Sequence, residues 1–228
     1  NMSCVAPARS DPERGRTRML DRMTFSDRAG AFAHQNRRIG LLGGSFNPAH
    51  EGHRYISVEA LKRLELDEVW WLVSPQNPLK PEAGMAPFEA RLESARKVAQ
   101  HPRIRVSALE AELRTRYTAD TLAALTQRFS AARFVWLMGA DNLLQIPQWR
   151  DWADIFNTVP IAVFARDSYD SHALSEKAAH RFRATRFPAS AAKVLADAVP
   201  PAWVFLRIRS HPATATQLRQ SGEWPKRT

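Results

Sequence analysis

Two histidines lie a few residues after a pair of adjacent glycines. The stretch Arg38–His53 reads RIGLLGGSFNPAHEGH, so a short apolar run ends at Gly43 and Gly44, and His50 and His53 follow. This order predicts a strand, a tight turn and the start of a helix. A helix start attracts anions, because its amides are unpaired and its dipole is positive. The sequence therefore predicts a phosphate site beside two imidazoles.

Three better-known motifs do not fit these residues. A triphosphatase loop needs Gly-Lys-Ser/Thr after the glycines, the dinucleotide fingerprint has another glycine spacing, and a zinc-protease helix has histidines four apart, not three. No third zinc ligand is evident nearby in the sequence. The alternative interpretation is that the glycines only permit a tight turn and that both histidines are surface residues.

The totals restrict the class of protein. The 228 residues suit one domain or at most two small ones, and a hydrophobic content of 44% is typical of a globular core. The formal charge of +10 favours anionic partners, either nucleotides or nucleic acids. The single Cys4 excludes an intramolecular disulfide and a cysteine-rich zinc site. Without a secretory signal or an apolar run of about 20 residues, we expect a cytoplasmic protein with no membrane partner.

The chain divides into an irregular start and a regular remainder. Residues 1–36 mix charges with Gly and Pro, which predicts a disordered extension, and residues 37–228 are predicted to form a single domain. The predicted strands are Arg38–Gly43, Glu68–Val73, Ile104–Ser107, Arg133–Met138, Ile161–Ala165 and Trp203–Ile208. The predicted helices are Gly52–Leu64, Pro87–Gln100, Ala119–Phe129, Asn142–Gln145, Trp149–Phe156 and Thr216–Ser221. Residues 166–200 contain no clean strand.

Strands that alternate with helices predict an α/β fold. We expect an open, doubly wound, mainly parallel sheet with helices on both faces. Ligands of such sheets bind beyond the carboxyl ends of the strands. The turn at Gly43 and Gly44 lies at one of these ends, so we expect the phosphate site at that edge.

The stretch Gly43–His53 resembles the signature of the HxGH nucleotidyltransferases, and most closely that of bacterial nicotinate-nucleotide adenylyltransferases. These enzymes join nicotinate mononucleotide and ATP into deamido-NAD and release pyrophosphate. The resemblance covers about residues 37–222 and implies a Rossmann-like fold. It also implies that ATP and nicotinate mononucleotide are the substrates, that Mg²⁺ arrives with ATP, and that the protein itself has no dedicated metal site.

The resemblance implies which residues face ATP. His50, His53, Lys80 and Arg219 are implied as the catalytic residues that contact the phosphates. The implied ATP-binding residues are Gly43, Gly44, Ser45, Phe46, Gly139, Asp141, Thr214 and Thr216. Two positions depart from the family pattern, because Leu79 replaces a common His and Ala215 replaces a hydroxyl residue. On local grounds alone, Asp141 is equally compatible with an ordinary helix cap.

The resemblance also implies which residues bind the nicotinate nucleotide. The segment Arg116–Leu122, RYTADTL, is similar to the family's Ser-Tyr-Thr-x-Asp-Thr-Leu. The implied residues are Asn77, Thr118, Asp120, Trp149 and Arg166. Local chemistry leaves two other interpretations open: the Thr118 hydroxyl can cap a helix, and Trp149 can pack with Trp152 on one apolar face.

Two alternatives for the function remain. The first is another adenylyltransferase of the same superfamily, with nicotinamide mononucleotide or pantetheine phosphate as the acceptor. The second is a basic nucleic-acid-binding protein, supported by the charge and by a group of arginines in the C-terminal third: Arg181, Arg183, Arg186, Arg207 and Arg209. This second alternative does not explain the glycine–histidine turn. A homo-oligomer is compatible with the sequence.

Overall fold

Seven strands form one sheet in the computed structural model, which describes residues 36–75, 84–165 and 170–209. In chain order they are β1 (Arg38–Gly44), β2 (Glu68–Val73), β3 (Ile104–Ser107), β4 (Arg133–Gly139), β5 (Ile161–Ala165), β6 (Arg186–Phe187) and β7 (Trp203–Arg207). Across the sheet the order is β3-β2-β1-β4-β5-β7-β6, and each adjacent pair is parallel. The expected α/β, doubly wound, Rossmann-like fold is therefore confirmed.

Helices connect and cover the strands. The α-helices of the described residues are α1 (Glu51–Arg63), α2 (Phe88–Val98), α3 (Leu109–Glu112), α4 (Thr118–Arg128), α5 (Ala140–Gln145), α6 (Trp152–Thr158), α7 (Asp170–Ser175) and α8 (Lys177–Arg181). Short 3₁₀ helices span Ile146–Gln148, Arg183–Thr185 and Ala189–Asp197. Within these residues, no helix combines the length and the apolar character that crossing a membrane requires.

The sequence located most elements but not all their limits. All six predicted strands are present, and each ends within one residue of its predicted limits. β6 was missed because two residues are too few to show a period. The helix predicted over Trp149–Phe156 is wrong at its start, because a 3₁₀ turn precedes it and Asp151 has a left-handed φ of 51°. The helix predicted over Thr216–Ser221 lies outside the described residues.

The strand order changes direction between β1 and β4. From β1 the chain adds β2 and then β3 on one side, and it then crosses to β4 and β5 on the other side. At such a switch point the two neighbouring connections leave in opposite directions, so a crevice opens at the carboxyl ends of the strands. The turn after Gly44 and the helix after Gly139 lie on the two sides of this crevice.

Both faces of the sheet are covered, so the strands are hydrophobic on both sides. On one face Leu42, Trp71 and Leu137 pack in a cluster with residues of α1 and α2, including Leu61 and Leu92. The other face carries aromatic groups, which include Trp70 edge-on to Phe129 and Phe134, and Phe156 stacked on Phe182. This packing makes the sheet a rigid base for the loops at its carboxyl edge.

The predicted extension of residues 1–36 lies outside the described residues, apart from Asn36. The described residues belong to one compact unit that spans residues 34–228. Disorder of the extension therefore stays a prediction.

Candidate active site

A cleft of about 630 Å³ opens at the carboxyl ends of β1 and β4, and is lined by segments far apart in sequence. It receives residues from the turn after β1, the end of β2, the start of α4 and the segment that follows β4. A cleft of this size suits a small-molecule ligand, for which about 300–1,000 Å³ is usual. The expected place of the phosphate site, beyond the strand ends, therefore coincides with an actual cavity.

The two glycines after β1 have different reasons to be glycine. A Cβ on Gly43 would overlap the ring of Trp136 on the neighbouring strand. A Cβ on Gly44 would have the Phe46 ring as its nearest neighbour, at ordinary contact distances of 3.5 Å and more. Packing against Trp136 therefore requires a glycine at position 43, whereas the same clash does not arise at Gly44.

Phe46 takes a backbone conformation that bulky residues rarely adopt. Its φ is 46°, which costs roughly 1–3 kcal/mol for a residue with a Cβ. Its ring is buried, stacks on Trp71 at 5.1 Å and contacts the His53 ring at 4.8 Å. The burial of this ring offsets the backbone cost and fixes the turn between β1 and α1.

His50 and His53 form a reciprocal cap at the start of α1. His50 Nδ1 accepts from the Gly52 amide at 3.1 Å, and His53 Nδ1 accepts from the His50 amide at 3.2 Å. The ring centroids are 3.9 Å apart. Because each Nδ1 is an acceptor, each neutral ring carries its hydrogen on Nε2. Both residues line the cleft, so they can offer N–H donors to an anion there.

A carboxylate lies on the opposite side of the switch point. Gly139 and Asp141 line the cleft at the end of β4. A Cβ on Gly139 would overlap a carboxylate oxygen of Asp141, so the glycine makes room for this side chain. Asp141 is not the cap of α5, because the N-cap position is Gly139 and the cap has no side-chain hydrogen bond. This arrangement leaves an exposed acceptor at the rim, suited to hydroxyl groups.

The start of α4 and the segment after α5 form the far end of the cleft. Thr118, Tyr117 and Trp149 line it, and the Arg150 guanidinium lies 4.7 Å from the centre of the Tyr117 ring. The predicted capping role of Thr118 is wrong, because the N-cap is Tyr117 and no side chain caps this helix. Asp120 is exposed and is absent from the described residues that line the cleft.

The two tryptophans do not share one packed face. Trp152 lies edge-on to Phe156 at 6.3 Å and to Phe182 at 6.0 Å. Trp149 is half-buried and lines the cleft. The alternative in which both indoles pack together is therefore not the one adopted.

Sequence reasoning missed Arg91, a buried cation beneath the turn. Arg91 is 1% exposed and donates to four main-chain carbonyl oxygens, those of Ser45, Ser74, Pro75 and Ala86, at 2.7 to 3.0 Å. Burial lowers the pKa of Arg91 from its ordinary value. One signal was available, because Arg91 lies three residues after Phe88 and next to Leu92, on the apolar side of α2.

Glu110 was also missed. It is 8% exposed, lines the cleft at the start of α3 and forms a hydrogen bond with the Ser74 side chain. Burial raises the pKa of Glu110 from an ordinary value near 4.5 to about 7, and the Ser74 hydrogen bond opposes this rise only in part. A carboxyl group with such a pKa is often found at a functional site. In the sequence, Glu110 looks like one of several charges on a polar segment.

Two further contacts complete the turn. The Asn47 amide nitrogen donates to the Gly84 carbonyl at 3.1 Å, and its oxygen accepts from the Ala86 amide at 3.0 Å. Six of the residues implied by resemblance lie outside the described part of the chain, namely Asn77, Lys80, Arg166, Thr214, Thr216 and Arg219. Their positions in the site stay predictions.

Comparisons with known proteins identify the family of this chain. Residues 41–220 match the model of the cytidylyltransferase-like family. A protein of Parvibaculum lavamentivorans is 54% identical over 83% of this chain and 94% of its own length, and it is named "Probable nicotinate-nucleotide adenylyltransferase". A protein of Bradyrhizobium sp. with the same name is 50% identical over 82% of this chain and 98% of its own length.

A solved structure shares the fold. It is the Plasmodium falciparum nicotinic acid mononucleotide adenylyltransferase complexed with NaAD, which aligns with a TM-score of 0.61 at 15% identity over 81% of this chain and 83% of that one. At this identity the likeness supports the fold alone, whereas the curated relatives and the family model establish the family. The chain belongs to the nicotinate-nucleotide adenylyltransferases of the cytidylyltransferase-like family.

Proposed function

We propose that this chain transfers the adenylyl group of ATP to nicotinate mononucleotide, which yields deamido-NAD and pyrophosphate. The observation that carries the proposal is a pair of imidazoles that line the cleft, with ring centroids 3.9 Å apart. Their Nδ1 atoms accept hydrogen bonds from main-chain amides. Each neutral ring then carries its hydrogen on Nε2, the position from which an imidazole can donate to a phosphate oxygen. Relatives that are 54% and 50% identical carry the name of this activity.

The turn after β1 is the proposed site for the ATP phosphates. Gly44, Ser45 and Phe46 line the cleft beside the two histidines, so main-chain amides and imidazoles can converge on one anion. Asp141 is suited to accept hydrogen bonds from ribose hydroxyls. Lys80, Thr214, Thr216 and Arg219 stay predictions for the ATP side, because they lie outside the described residues.

The acceptor nucleotide is proposed to bind at the far end of the cleft. Trp149 can stack on a pyridine ring there, and Thr118 offers a hydroxyl group at the start of α4. Arg116 and Arg150 line the same end and give it positive charge. This charge favours an acceptor that carries both a phosphate and a ring carboxylate. Asp120 is exposed and does not line the described cleft, so its contribution would have to be indirect.

The chemistry needs no nucleophile from the protein. A phosphate oxygen of nicotinate mononucleotide attacks the α-phosphorus of ATP, and the bond from that phosphorus to the oxygen bridging to the β-phosphorus breaks. The electron pair of that bond leaves with pyrophosphate. No proton has to be removed from the attacking group, because the phosphate oxygen is already ionised at neutral pH. The protein must therefore align two polyanions and stabilise the charge that develops on the bridging oxygen. We assign that second task to His50 and His53, which both line the cleft.

Mg²⁺ is proposed to enter as part of the ATP complex. Mg²⁺ prefers phosphate and water oxygens with few protein ligands. Residues 36–75, 84–165 and 170–209 contain no group of three or more His, Cys, Asp and Glu side chains arranged to hold a metal ion.

A panel of acceptors tests the proposal. The purified chain is incubated with ATP, Mg²⁺ and one of three acceptors: nicotinate mononucleotide, nicotinamide mononucleotide or pantetheine phosphate. We expect equal amounts of pyrophosphate and deamido-NAD with the nicotinate acceptor, and a far lower rate with the others. A faster reaction with another acceptor would assign a different activity within the superfamily. No pyrophosphate with any acceptor would contradict adenylyl transfer.

The expected cytoplasmic location and the possible homo-oligomer stay predictions. The nucleic-acid alternative is addressed by the same preparation, in a titration with duplex and single-stranded DNA at several salt concentrations. We expect no binding with the steep salt dependence that several phosphate contacts would produce.

A further inference from the structure

Arg91 is a buried cation whose described partners include no carboxylate. Its guanidinium donates instead to four carbonyl oxygens on three chain segments. Ser45 belongs to the turn after β1, Ser74 and Pro75 follow β2, and Ala86 precedes α2. Burying a charge is unfavourable, and an apolar side chain would anchor α2 to the core without this cost. A planar cation with five donors does something more, because it holds several carbonyl groups in fixed directions.

The bond from Arg91 to Ser45 determines where the next amide points. The Ser45–Phe46 peptide is trans, because the cis bonds in the described chain are Asn47–Pro48 and Pro200–Pro201. In a planar trans peptide the C=O and N–H groups point in opposite directions. Arg91 Nη1 holds the Ser45 carbonyl at 2.7 Å, so the Phe46 N–H points away from Arg91. Ser45 and Phe46 line the cleft, whereas Arg91 does not.

The same guanidinium joins this turn to the end of β2. Arg91 Nη1 also donates to the Ser74 carbonyl at 2.7 Å, and the Ser74 amide donates to the Gly44 carbonyl at 2.9 Å. One side chain thus holds the two strand ends together directly beneath the cleft. These bonds add to the burial of the Phe46 ring in holding the left-handed φ of 46°, a backbone conformation that is unfavourable on its own.

We propose that Arg91 is a positioning residue for adenylyl transfer, which directs the Phe46 amide towards the phosphate that reacts. The inference rests on the proposed function, because it requires that a phosphate binds at the turn. Arg91 itself does not contact the substrate in this proposal. Its removal should lower kcat beyond any effect on the amount of folded protein, and should change KM for ATP more than KM for the acceptor.

Two substitutions of Arg91 and one matched control test this role. Arg91→Met keeps much of the length and removes every donor, and Arg91→Lys keeps the charge but not the planar fork. Arg96→Met makes the same change at an exposed position on the same helix. For each protein, kcat and both KM values are measured, and kcat is divided by the folded fraction found by circular dichroism at the assay temperature.

We expect Arg91→Met to lower the corrected kcat about 100-fold, the usual scale for misplacing a donor to the transition state. Arg91→Lys should fall between this variant and wild type, and Arg96→Met should match wild type. If Arg91→Met does not fold, the result for Arg91→Lys decides. A corrected kcat equal to wild type in Arg91→Lys would then contradict the inference. An unchanged corrected kcat in Arg91→Met also contradicts it. A wild type that makes no deamido-NAD would instead contradict the proposed function.

Discussion

The amino-terminal and carboxyl ends of the strands differ in what contacts their charged side chains. At the amino-terminal edge, charges pair with each other: Glu68 contacts Arg37 at 2.5 Å and Arg105 at 2.9 Å, and Asp197 contacts both Arg38 and Arg133. At the carboxyl edge, Arg91 is held by main-chain carbonyls and Glu110 by a hydroxyl. The first arrangement neutralises charge and needs nothing else. The second leaves charge in or beneath a cleft.

Two glutamates show what this difference does to titration. The pKa of Glu68 lies below its ordinary value: burial raises it, but the Trp70 hydrogen bond and the two arginines lower it by more. The pKa of Glu110 rises to about 7, because burial dominates and only the Ser74 hydrogen bond opposes it. Glu68 at the amino-terminal edge is therefore stabilised in its ionised form, and Glu110 at the carboxyl edge in its neutral form. We infer that the first edge serves stability and the second serves function.

The largest expected effect is the loss of an imidazole donor at the carboxyl edge. Asn is a good N-cap residue, so His50→Asn keeps an acceptor for the Gly52 amide but removes the Nε2–H donor. We expect kcat to fall about 100- to 1,000-fold, which corresponds to about 3–4 kcal/mol of transition-state stabilisation. Steady-state kinetics beside a thermal melt measure both quantities.

The control for this substitution is His180→Asn. His180 is exposed in the last turn of α8, outside the cleft. It should leave kcat unchanged. If His50→Asn also kept the wild-type kcat, or lost activity only in proportion to unfolded protein, the phosphate role of His50 would be wrong.

The second effect concerns the buried carboxyl group of Glu110. In the unfolded wild-type chain the Glu110 carboxyl group ionises near pH 4.5, whereas in the folded protein it stays neutral up to about pH 7. Wild type therefore loses stability as the pH rises through this range, and the loss is complete above it. We expect Glu110→Gln to match wild type below pH 4.5 and to be more stable by about 3 kcal/mol at pH 8.

Urea unfolding of both proteins from pH 4 to pH 8 measures this difference. Because only Glu110 differs, the other titrating groups cancel in the comparison. Parallel stability curves over the whole range would show that Glu110 is not held neutral in the folded protein.

The third effect has the opposite sign and lies at the other edge. Glu68→Gln removes the charge that binds Arg37 and Arg105, so we expect it to lower the free energy of unfolding at pH 7 by about 2 kcal/mol. A group with a lowered pKa stabilises above its ordinary pKa and loses this contribution as the pH falls. The difference from wild type should therefore shrink in acid.

An exposed ion pair provides the matched control. Glu93 pairs with Lys97 at 2.8 Å, and their side chains are 65% and 73% exposed. Glu93→Gln should produce no measurable change in unfolding, since solvent and salt screen such pairs. A Glu68→Gln protein as stable as wild type at pH 7 would contradict the role of the amino-terminal edge.

The smallest effect separates two tryptophans. Trp149→Ala should raise KM for nicotinate mononucleotide about 5-fold, the scale of one stacking contact, with little change in the melting temperature. Trp152→Ala should do the reverse, because Trp152 packs on Phe156 and Phe182. If both variants changed only the melting temperature, Trp149 would be a packing residue.

The sequence predicted what depends on neighbours along the chain. The strands were located because they are short apolar runs, and the phosphate turn because Gly43, Gly44, His50 and His53 lie within eleven residues. The family resemblance then extended the predicted site to Trp149 and Asp141, which both line the cleft, and their roles there stay predictions.

The features that the sequence did not predict arise from contacts between residues that are distant along the chain. Nothing near Gly43 in the chain indicates that Trp136 occupies the volume of its missing Cβ. In the sequence Arg91 and Glu110 look like ordinary helix charges, because the residues that contact them in the fold are distant along the chain. The short β6 and the late start of α6 were missed because edge pairing and a single left-handed residue leave no periodic pattern.

The most direct test of the account compares one residue from each edge in the same assay. The rate of deamido-NAD formation at saturating substrate is measured for His53→Ala and for Glu68→Gln, and each rate is divided by the folded fraction. We expect a loss of about 100-fold or more for His53→Ala and the wild-type rate for Glu68→Gln. Equal corrected rates in the two variants would contradict it.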